Sequence, residues 1–422
     1  MIRFYNGRVL RFSPQLRVTE DEVWTDAGRI CHVGPATESL PAFERQIDLR
    51  GDLLIPGFKN AHTHTAMTFL RSRADDMPLA DWLTKQVFPH EARVTPEALY
   101  DFTTLGILEY LSSGITASFD MYFHNDAYAA ANLDCGYRTV ICAALNNFDR
   151  DVENIEREYL KFNALDPLIS YRLGIHAEYT TCRERMEYLV SLAHKYREPC
   201  FTHLCETKAE VEGCLERYGM TPPQFLDSLG FFDCGGGGFH CVWMSEEDIA
   251  LFARKKLWAV TNPCSNLKLA SGVAPVDRLR AAGVPMAIGT DGAGSNNALD
   301  FFREMYLASV LQKPLCGDAS AGGADAVLEM ACVGGARAMG LFDCDDIAPG
   351  KCADLVVIDL QRPNMQPVHN PARNLVYAGS KENVRLTMVN GRILYENGEF
   401  FVGTDPQALY ARVNARLPEI FQ

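Results

Sequence analysis

The sequence predicts an α/β fold: a (β/α)8 TIM barrel carrying a small β-sandwich domain formed by both chain termini. Three observations lead there. First, apolar, β-rich runs alternate with helical stretches through the middle of the chain, at 53–55, 115–119, 138–144, 171–175, 199–202, 238–242, 258–261 and 284–288. Such alternation implies parallel strands joined by right-handed crossovers. Second, eight units in about 250 residues is the size of a barrel of this kind. Third, both ends of the chain read as short strands broken by turns. The expected division is 1–56 and 346–422 for the composite β-sandwich and 57–345 for the barrel. An open doubly wound sheet is the alternative architecture.

The elements follow in order. Residues 2–5 and 8–12 flank Asn6-Gly7, a strong hairpin signal. Residues 22–25 and 29–33 flank Asp26-Ala27-Gly28, and a further short run follows at 47–49. Helical spacing recurs at 96–112, 181–195, 246–255 and 275–282. The glycine run at 235–238 precedes a strand and no helix, so it is not a dinucleotide fingerprint. After the barrel, 353–359 is strand-like, and 385–389 and 392–395 flank Asn390-Gly391.

Composition narrows the function classes. With 422 residues, 47% hydrophobic and 22% charged, the chain is globular rather than disordered, collagen-like or coiled-coil. The net charge of −14 disfavours nucleic acid as a partner, because phosphate binding needs an excess of Lys and Arg. Apolar runs fall far short of the roughly 20 residues a membrane helix needs, and the first residues lack a signal-peptide pattern. The fourteen cysteines never form C-x-x-C and sit among apolar neighbours. They read as small buried hydrophobes in a reducing cytoplasm, neither disulfides nor zinc ligands. The expected location is cytoplasmic, with a small-molecule partner and no membrane or nucleic-acid partner.

Barrel enzymes carry their chemistry at the C-terminal ends of the strands. The first strand runs into Asn60-Ala61-His62-Thr63-His64. The second ends at Asp120, the fourth at His176, the fifth at His203, the sixth at His240, the seventh at Asn262 and the eighth at Asp291. A lone histidine there is more often a hydrogen-bonded core residue, and Asp120 and Asn262 suit helix caps. His62-x-His64 is more specific, because residues i and i+2 of a strand point the same way. With His203 and Asp291 they make a nitrogen and carboxylate set that suits one zinc ion, with ferrous iron the alternative. An open position would hold water whose pKa falls toward about 7. No lysine on the fourth strand is available to bridge a second metal.

Hydrolysis also needs proton transfer. Glu206, three residues after His203, is the candidate acid; a helix first-turn carboxylate is its plain alternative. His240 is the second candidate: as a non-ligand it could orient the water or accept its proton.

Pro56-Gly57, His62-Thr63-His64, His176, His203, His240 and Asp291, in this order, resemble the amidohydrolase superfamily over nearly the whole chain, the segment at Gly350-Lys351-Cys352-Ala353-Asp354-Leu355 included. Further stretches resemble its deaminases acting on S-adenosylhomocysteine and 5′-methylthioadenosine. These are Met67-Thr68-Phe69-Leu70-Arg71, Asp75-Asp76-Met77-Pro78-Leu79, Phe88-Pro89-His90-Glu91, Ser265-Asn266-Leu267-Lys268 and Gly289-Thr290-Asp291-Gly292. The resemblance implies a hydrolytic deamination of adenine nucleosides in which Glu206 shuttles protons to the ring nitrogen beside the leaving amine, and His240 and the ligand Asp291 help activate the metal-bound water as catalytic groups. It implies that Glu91 binds the ribose 2′ and 3′ hydroxyls, that His176 contacts the base, and that Trp82 walls the sugar. It matches Arg150 to a residue holding the carboxylate of the homocysteine tail. A homo-oligomer is implied by the resemblance alone. The chain departs from the pattern at Thr261-Asn262-Pro263, where many relatives have a histidine before Asn-Pro.

Competing functions stay open at this level. A deaminase of another aminated heterocycle (a guanine-type base, a pterin, cytosine) would leave Glu91 without a role. A triazine hydrolase is a further alternative, and retention of Glu206 argues against dechlorinases lacking this acid. An inactive binding protein on the same scaffold would be expected to lose ligands, and this set is complete.

Overall fold

Two successive strands meet at Pro56-Gly57 and enter different sheets in the computed structural model, which describes residues 1–37, 40–73 and 75–422. The run expected to open the barrel does not. Leu53–Pro56 pairs antiparallel with Leu355–Ile358, Val357 opposite Leu54, in a seven-stranded sheet outside the barrel. The first barrel strand is Phe58–Thr63 (β1), which the sequence hid by carrying Lys59, Asn60 and His62 in a fully buried strand. Gly57 makes the turn between the sheets. A Cβ there would fall 2.2 Å from the Thr116 methyl carbon, so a side chain would force the sheets apart.

The remaining barrel strands are Ile115–Met121 (β2), Arg138–Cys142 (β3), Ile169–Ala177 (β4), Cys200–Leu204 (β5), Gly236–His240 (β6), Trp258–Thr261 (β7) and Met286–Ile288 (β8). They form one sheet in sequential order, and each neighbouring pair is parallel. Three residues of the glycine run expected before the sixth strand, Gly236 to Gly238, lie inside it. At Gly236, φ is +112° and a Cβ would sit 1.9 Å from the Cys200 carbonyl oxygen, so only glycine fits.

The seam between β1 and β8 is drawn together by side chains and loop amides, as a closing barrel rather than an open sheet requires. Asn60 Nδ2 donates to Thr290 Oγ1 at 2.7 Å, and Asn60 Oδ1 accepts from the Thr290 amide at 2.9 Å. The His62 carbonyl accepts from the Thr290 and Asp291 amides at 3.1 and 3.0 Å. Inside, Phe119, Phe201 and Phe239 pack together, the first two with ring centroids 4.9 Å apart. His62 stacks on Phe239 at 4.0 Å, so an aromatic layer forms the floor beneath the strand ends.

The chain ends build two facing sheets. The four-stranded one uses Ile2–Tyr5, Glu22–Asp26, Arg29–Gly34 and Arg45–Asp48; the seven-stranded one joins Arg8–Arg11, Arg17–Thr19 and Leu53–Pro56 to four strands from the C-terminal end. Phe4, Val23, Ile30, Leu54, Leu355 and Met388 fill the space between them. The hairpin expected at Asn6-Gly7 is absent: Ile2–Tyr5 and Arg8–Arg11 belong to different sheets, and the turn carries the chain across the sandwich. The turns at 26–28 and 390–391 do join paired antiparallel strands. The helix Pro96–Ser112 (α1) packs on the barrel beside the last helix of the chain, Pro406–Ile420, whose Arg412 and Arg416 both reach Asp101.

Among the described residues no helix is long and apolar enough to cross a membrane.

Candidate metal centre

Four of the barrel strands deliver polar groups to the same mouth. His62 lies on β1 and His64 just past it; His203 lies on β5 and His240 closes β6; Asp291 stands three residues beyond β8. Two of these ends have left-handed backbone. His240 has φ +74° and Asp291 φ +59°, a conformation costing about 1–2 kcal/mol in a non-glycine residue. Strain of this sort, once observed, marks positions where side-chain direction is functional.

Ring nitrogens converge without protons to share. His64 Nδ1 lies 2.5 Å from the Met121 carbonyl and His203 Nδ1 2.6 Å from the His176 carbonyl, so both rings carry their hydrogen on Nδ1. Their Nε2 lone pairs then face each other at 3.3 Å, with Asp291 Oδ1 3.2 Å from His64 Nε2. His62 Nε2 is 3.7 Å from the same carboxylate oxygen, and both its ring nitrogens are buried with no hydrogen-bond partner. Buried acceptors pointed at one another are unfavourable unless a cation lies between them. Burial lowers the His64 pKa, yet Asp291 beside it outweighs burial and leaves it pushed up to about 9: Nε2 takes a proton unless another cation occupies the same place. The groups His62, His64 and Asp291, and His62, His203 and His240, each have ligand atoms within 4.8 Å of one another. The donor set therefore fits a divalent metal, with ring protons given to carbonyls as metal-binding histidines do.

Glu206 and His240 stand beside this cluster. Glu206 Oε2 is 3.9 Å from His240 Nε2, and Ser271 Oγ donates to Glu206 Oε1 at 3.3 Å. Burial raises the Glu206 carboxyl pKa while His240 pulls it down. His240 Nδ1 is 2.8 Å from Asn266 Oδ1 and 3.3 Å from Asn262 Nδ2; the shorter contact, to the oxygen, places its proton on Nδ1 and leaves Nε2 facing Glu206.

Both groups open into a cavity of about 650 Å³, mid-range for small-molecule sites. Leu79, Trp82, Leu83, Val87, Phe88 and Glu91 line one wall. They come from one helical stretch, 79–91, whose middle turn, Trp82–Val87, is π-helical. Spacings of three, four, eight, nine and twelve residues place them on one face. Burial raises the Glu91 carboxyl pKa, and the Tyr122 phenol beside it lowers it. His176 also lines the cavity; its Nδ1 bonds Thr180 Oγ1 at 2.9 Å, and burial lowers its pKa to about 4, so the ring is neutral. Arg150 is different. Phe148, Asp149 and Asp151 reach the cavity wall, whereas Arg150 is exposed outside it.

Several supporting residues escaped sequence reasoning. Ser265 and Ser295 donate to Asp291 Oδ2 at 2.5 and 2.8 Å. Asn266 orients His240, and Glu210 accepts from the Cys205 and Glu206 amides at 2.7 and 2.8 Å. Ser265 and Asn266 lie in a motif stretch of the sequence, but their partners are each 26 residues away and emerge only from the fold; Ser295 stands four residues after Asp291.

Comparison with known proteins gives a consistent result. Residues 53–394 match the amidohydrolase family model. The chain is 40% identical over 399 residues to a 5-methylthioadenosine/S-adenosylhomocysteine deaminase of Moorella thermoacetica, covering 92% of each chain. It is 40% identical over 364 residues to a 5′-deoxyadenosine deaminase of Methanothermobacter thermautotrophicus, covering 84% of this chain and 85% of the relative. Its structure matches that of an adenosine deaminase from Xanthomonas campestris with bound zinc. The TM-score is 0.94 and the identity 35%, over 99% of this chain and 98% of the other.

Proposed function

The chain belongs to the amidohydrolase family, and from that premise we propose that it is a hydrolytic deaminase of adenine nucleosides, releasing ammonia and the inosine analogue. Its substrates would be nucleosides such as S-adenosylhomocysteine, 5′-methylthioadenosine, 5′-deoxyadenosine or adenosine. The observation that carries this reading is the facing pair of His64 and His203 lone pairs beside Asp291, with Glu206 and His240 at the same end of a nucleoside-sized cavity.

His62, His64, His203 and Asp291 would hold one divalent cation, for which imidazole and carboxylate favour zinc, with ferrous iron the alternative. When bound it supplies a water activated for attack at neutral pH. His240 presents Nε2 as a proton acceptor at that spot, its ring held by Asn266. Glu206 takes a proton on its carboxylate, donates it to the ring nitrogen beside the amine, and so prepares the carbon for attack and the amine for departure. Its burial favours the protonated form that this donation needs. Glu91 accepts from the ribose 2′ and 3′ hydroxyls, a geometry one carboxylate can satisfy with both oxygens. Trp82 shields the sugar and His176 meets the base. Arg150, on the exposed rim, would act only on a tail that leaves the cavity. The fourteen cysteines are all free, which suits a reducing compartment such as the cytoplasm.

The test is an ultraviolet assay of zinc-loaded protein on S-adenosylhomocysteine, methylthioadenosine, 5′-deoxyadenosine, adenosine and adenine. Loss of the adenine chromophore with ammonia release supports the reading, and the ranking defines the 5′ pocket. Silence on all five, with metal bound and the fold intact, removes it.

A further inference from the structure

The wall that carries Glu91 is lightly built. Its stretch, 79–91, is broken in the middle by the π-helical turn, and among the described residues no side chain caps any of its three segments. One face borders the cavity, so Leu79, Leu83 and Phe88 are half-buried. A segment with so little buried surface depends on what grips its ends. Upstream, Lys268 Nζ donates to Asp75 Oδ1 and Asn297 Oδ1, each at 2.5 Å. Downstream, the grip comes from the residue that follows the last helix.

That residue is Phe421. Its ring lies against His90, the residue before Glu91, with centroids 4.6 Å apart and planes inclined at 54°. His90 Nδ1 in turn donates to the Gln86 carbonyl at 2.5 Å, inside the π-helical turn. A carbonyl only accepts, so this bond fixes the tautomer and direction of the His90 ring. Arg93 adds a bond to the Ile420 carbonyl at 3.3 Å. Phe421 also meets Phe69, with centroids 6.2 Å apart, and the Arg73 guanidinium lies over its ring at 4.9 Å. Phe69 belongs to the turn Thr65–Leu70, which leaves His64 directly. One ring therefore touches both the segment that follows a metal ligand and the segment that ends at Glu91.

A rigid substrate makes this spacing matter. A nucleoside is deaminated at one end of a flat purine and carries its ribose at the other, so the span from reacting carbon to 2′,3′ diol varies little. The protein must hold Glu91 at a matching distance from the metal ligands. We propose that Phe421 is a positioning residue for nucleoside binding: in contact with Phe69 and His90, it sets the place of Glu91 relative to the metal centre. The inference rests on the nucleoside reading above and adds a residue that meets neither substrate nor metal.

The test is a double-mutant cycle on zinc-loaded enzyme with 5′-methylthioadenosine, comparing wild type, Phe421→Ala, Glu91→Ala and the pair. Phe421→Ala is expected to raise KM about tenfold, the order of a hydrogen bond to a charged group, with kcat and zinc per chain as in wild type. Such a split marks lost binding rather than lost chemistry. In the Glu91→Ala background the same substitution is expected to leave KM unchanged, because the group it misplaces is already gone. If Phe421→Ala does not fold, Phe421→Leu takes its place in the cycle, with a rise of about threefold that disappears without Glu91. Equal factors in the two backgrounds overturn the link to Glu91, as does an unchanged KM in the single variant. A fall in kcat and zinc content alongside the KM change marks general packing and overturns it too. Wild-type enzyme that holds zinc and deaminates no nucleoside removes the nucleoside reading, and this inference with it.

Discussion

His64 Nε2 and His203 Nε2 lie 3.3 Å apart although each ring has already given its proton to a backbone carbonyl on its other side. Two lone pairs held at that distance, with a carboxylate oxygen 3.2 Å from one of them, define a place for a cation. The fold creates this arrangement by bringing the first and fifth barrel strands to one mouth, 139 residues apart in the chain.

Serine support of Asp291 should matter for metal affinity. Ser265 and Ser295 both bond its Oδ2, leaving Oδ1 toward the histidines. Ser265→Ala is expected to weaken zinc binding by about 10–100-fold, the usual cost of losing such an outer partner. Competition with a chelator, read as zinc per protein, measures it. Unchanged affinity would mean that Asp291 needs no such support.

Glu206→Gln keeps the shape and removes the transferable proton. The expected loss in kcat is about 10²–10⁴-fold, with metal content equal to wild type. A loss confined to KM would place Glu206 in binding rather than proton transfer.

Glu91→Gln should separate nucleosides from bare bases. Losing a hydrogen-bonded charge at the ribose is expected to raise KM for methylthioadenosine roughly 10–100-fold and to leave any activity on adenine unaltered. Equal KM values for nucleosides in variant and wild type would favour a substrate without a ribose.

Glu210 gives a pH-dependent stability with a definite sign. Burial pushes its carboxyl up from the ordinary 4.5 to about 7, against the two amides it accepts. Between those values the folded protein holds a proton that the unfolded chain releases, so rising pH lowers stability through that window. The full shift corresponds to about 3 kcal/mol. Urea titrations from about pH 4.5 to 8 should show a shallower decline for Glu210→Gln than for wild type. Parallel curves would show that Glu210 does not titrate in the folded protein.

Much of this was legible in the sequence because the signals were periodic or chemically rare. Seven of the eight β-rich runs read from the alternation are barrel strands, and His62-x-His64 with His203, His240 and Asp291 points to one mouth of the barrel. What escaped had local patterns that tertiary structure overrode. Asn6-Gly7 is ideal for a hairpin, but the hydrophobic faces of Ile2–Tyr5 and Arg8–Arg11 are buried in different sheets. β1 looked like a loop because its polar residues close the barrel seam through Asn60. Gly236–His240 looked like a loop followed by a strand because glycines have no β-rich signature, although close approach of Cys200 demands them. Ser265 and Asn266 act through partners 26 residues away that no spacing rule connects. Arg150 shares a loop with cavity-lining neighbours, and only the backbone path shows that it lies outside.

The most direct measurement titrates zinc into metal-free protein and follows both bound metal and ammonia released from methylthioadenosine. The account predicts activity rising with occupancy to a plateau at one zinc per chain, with His203→Ala failing to bind or turn over. Full occupancy of the His62, His64, His203 and Asp291 site without any ammonia release would contradict it.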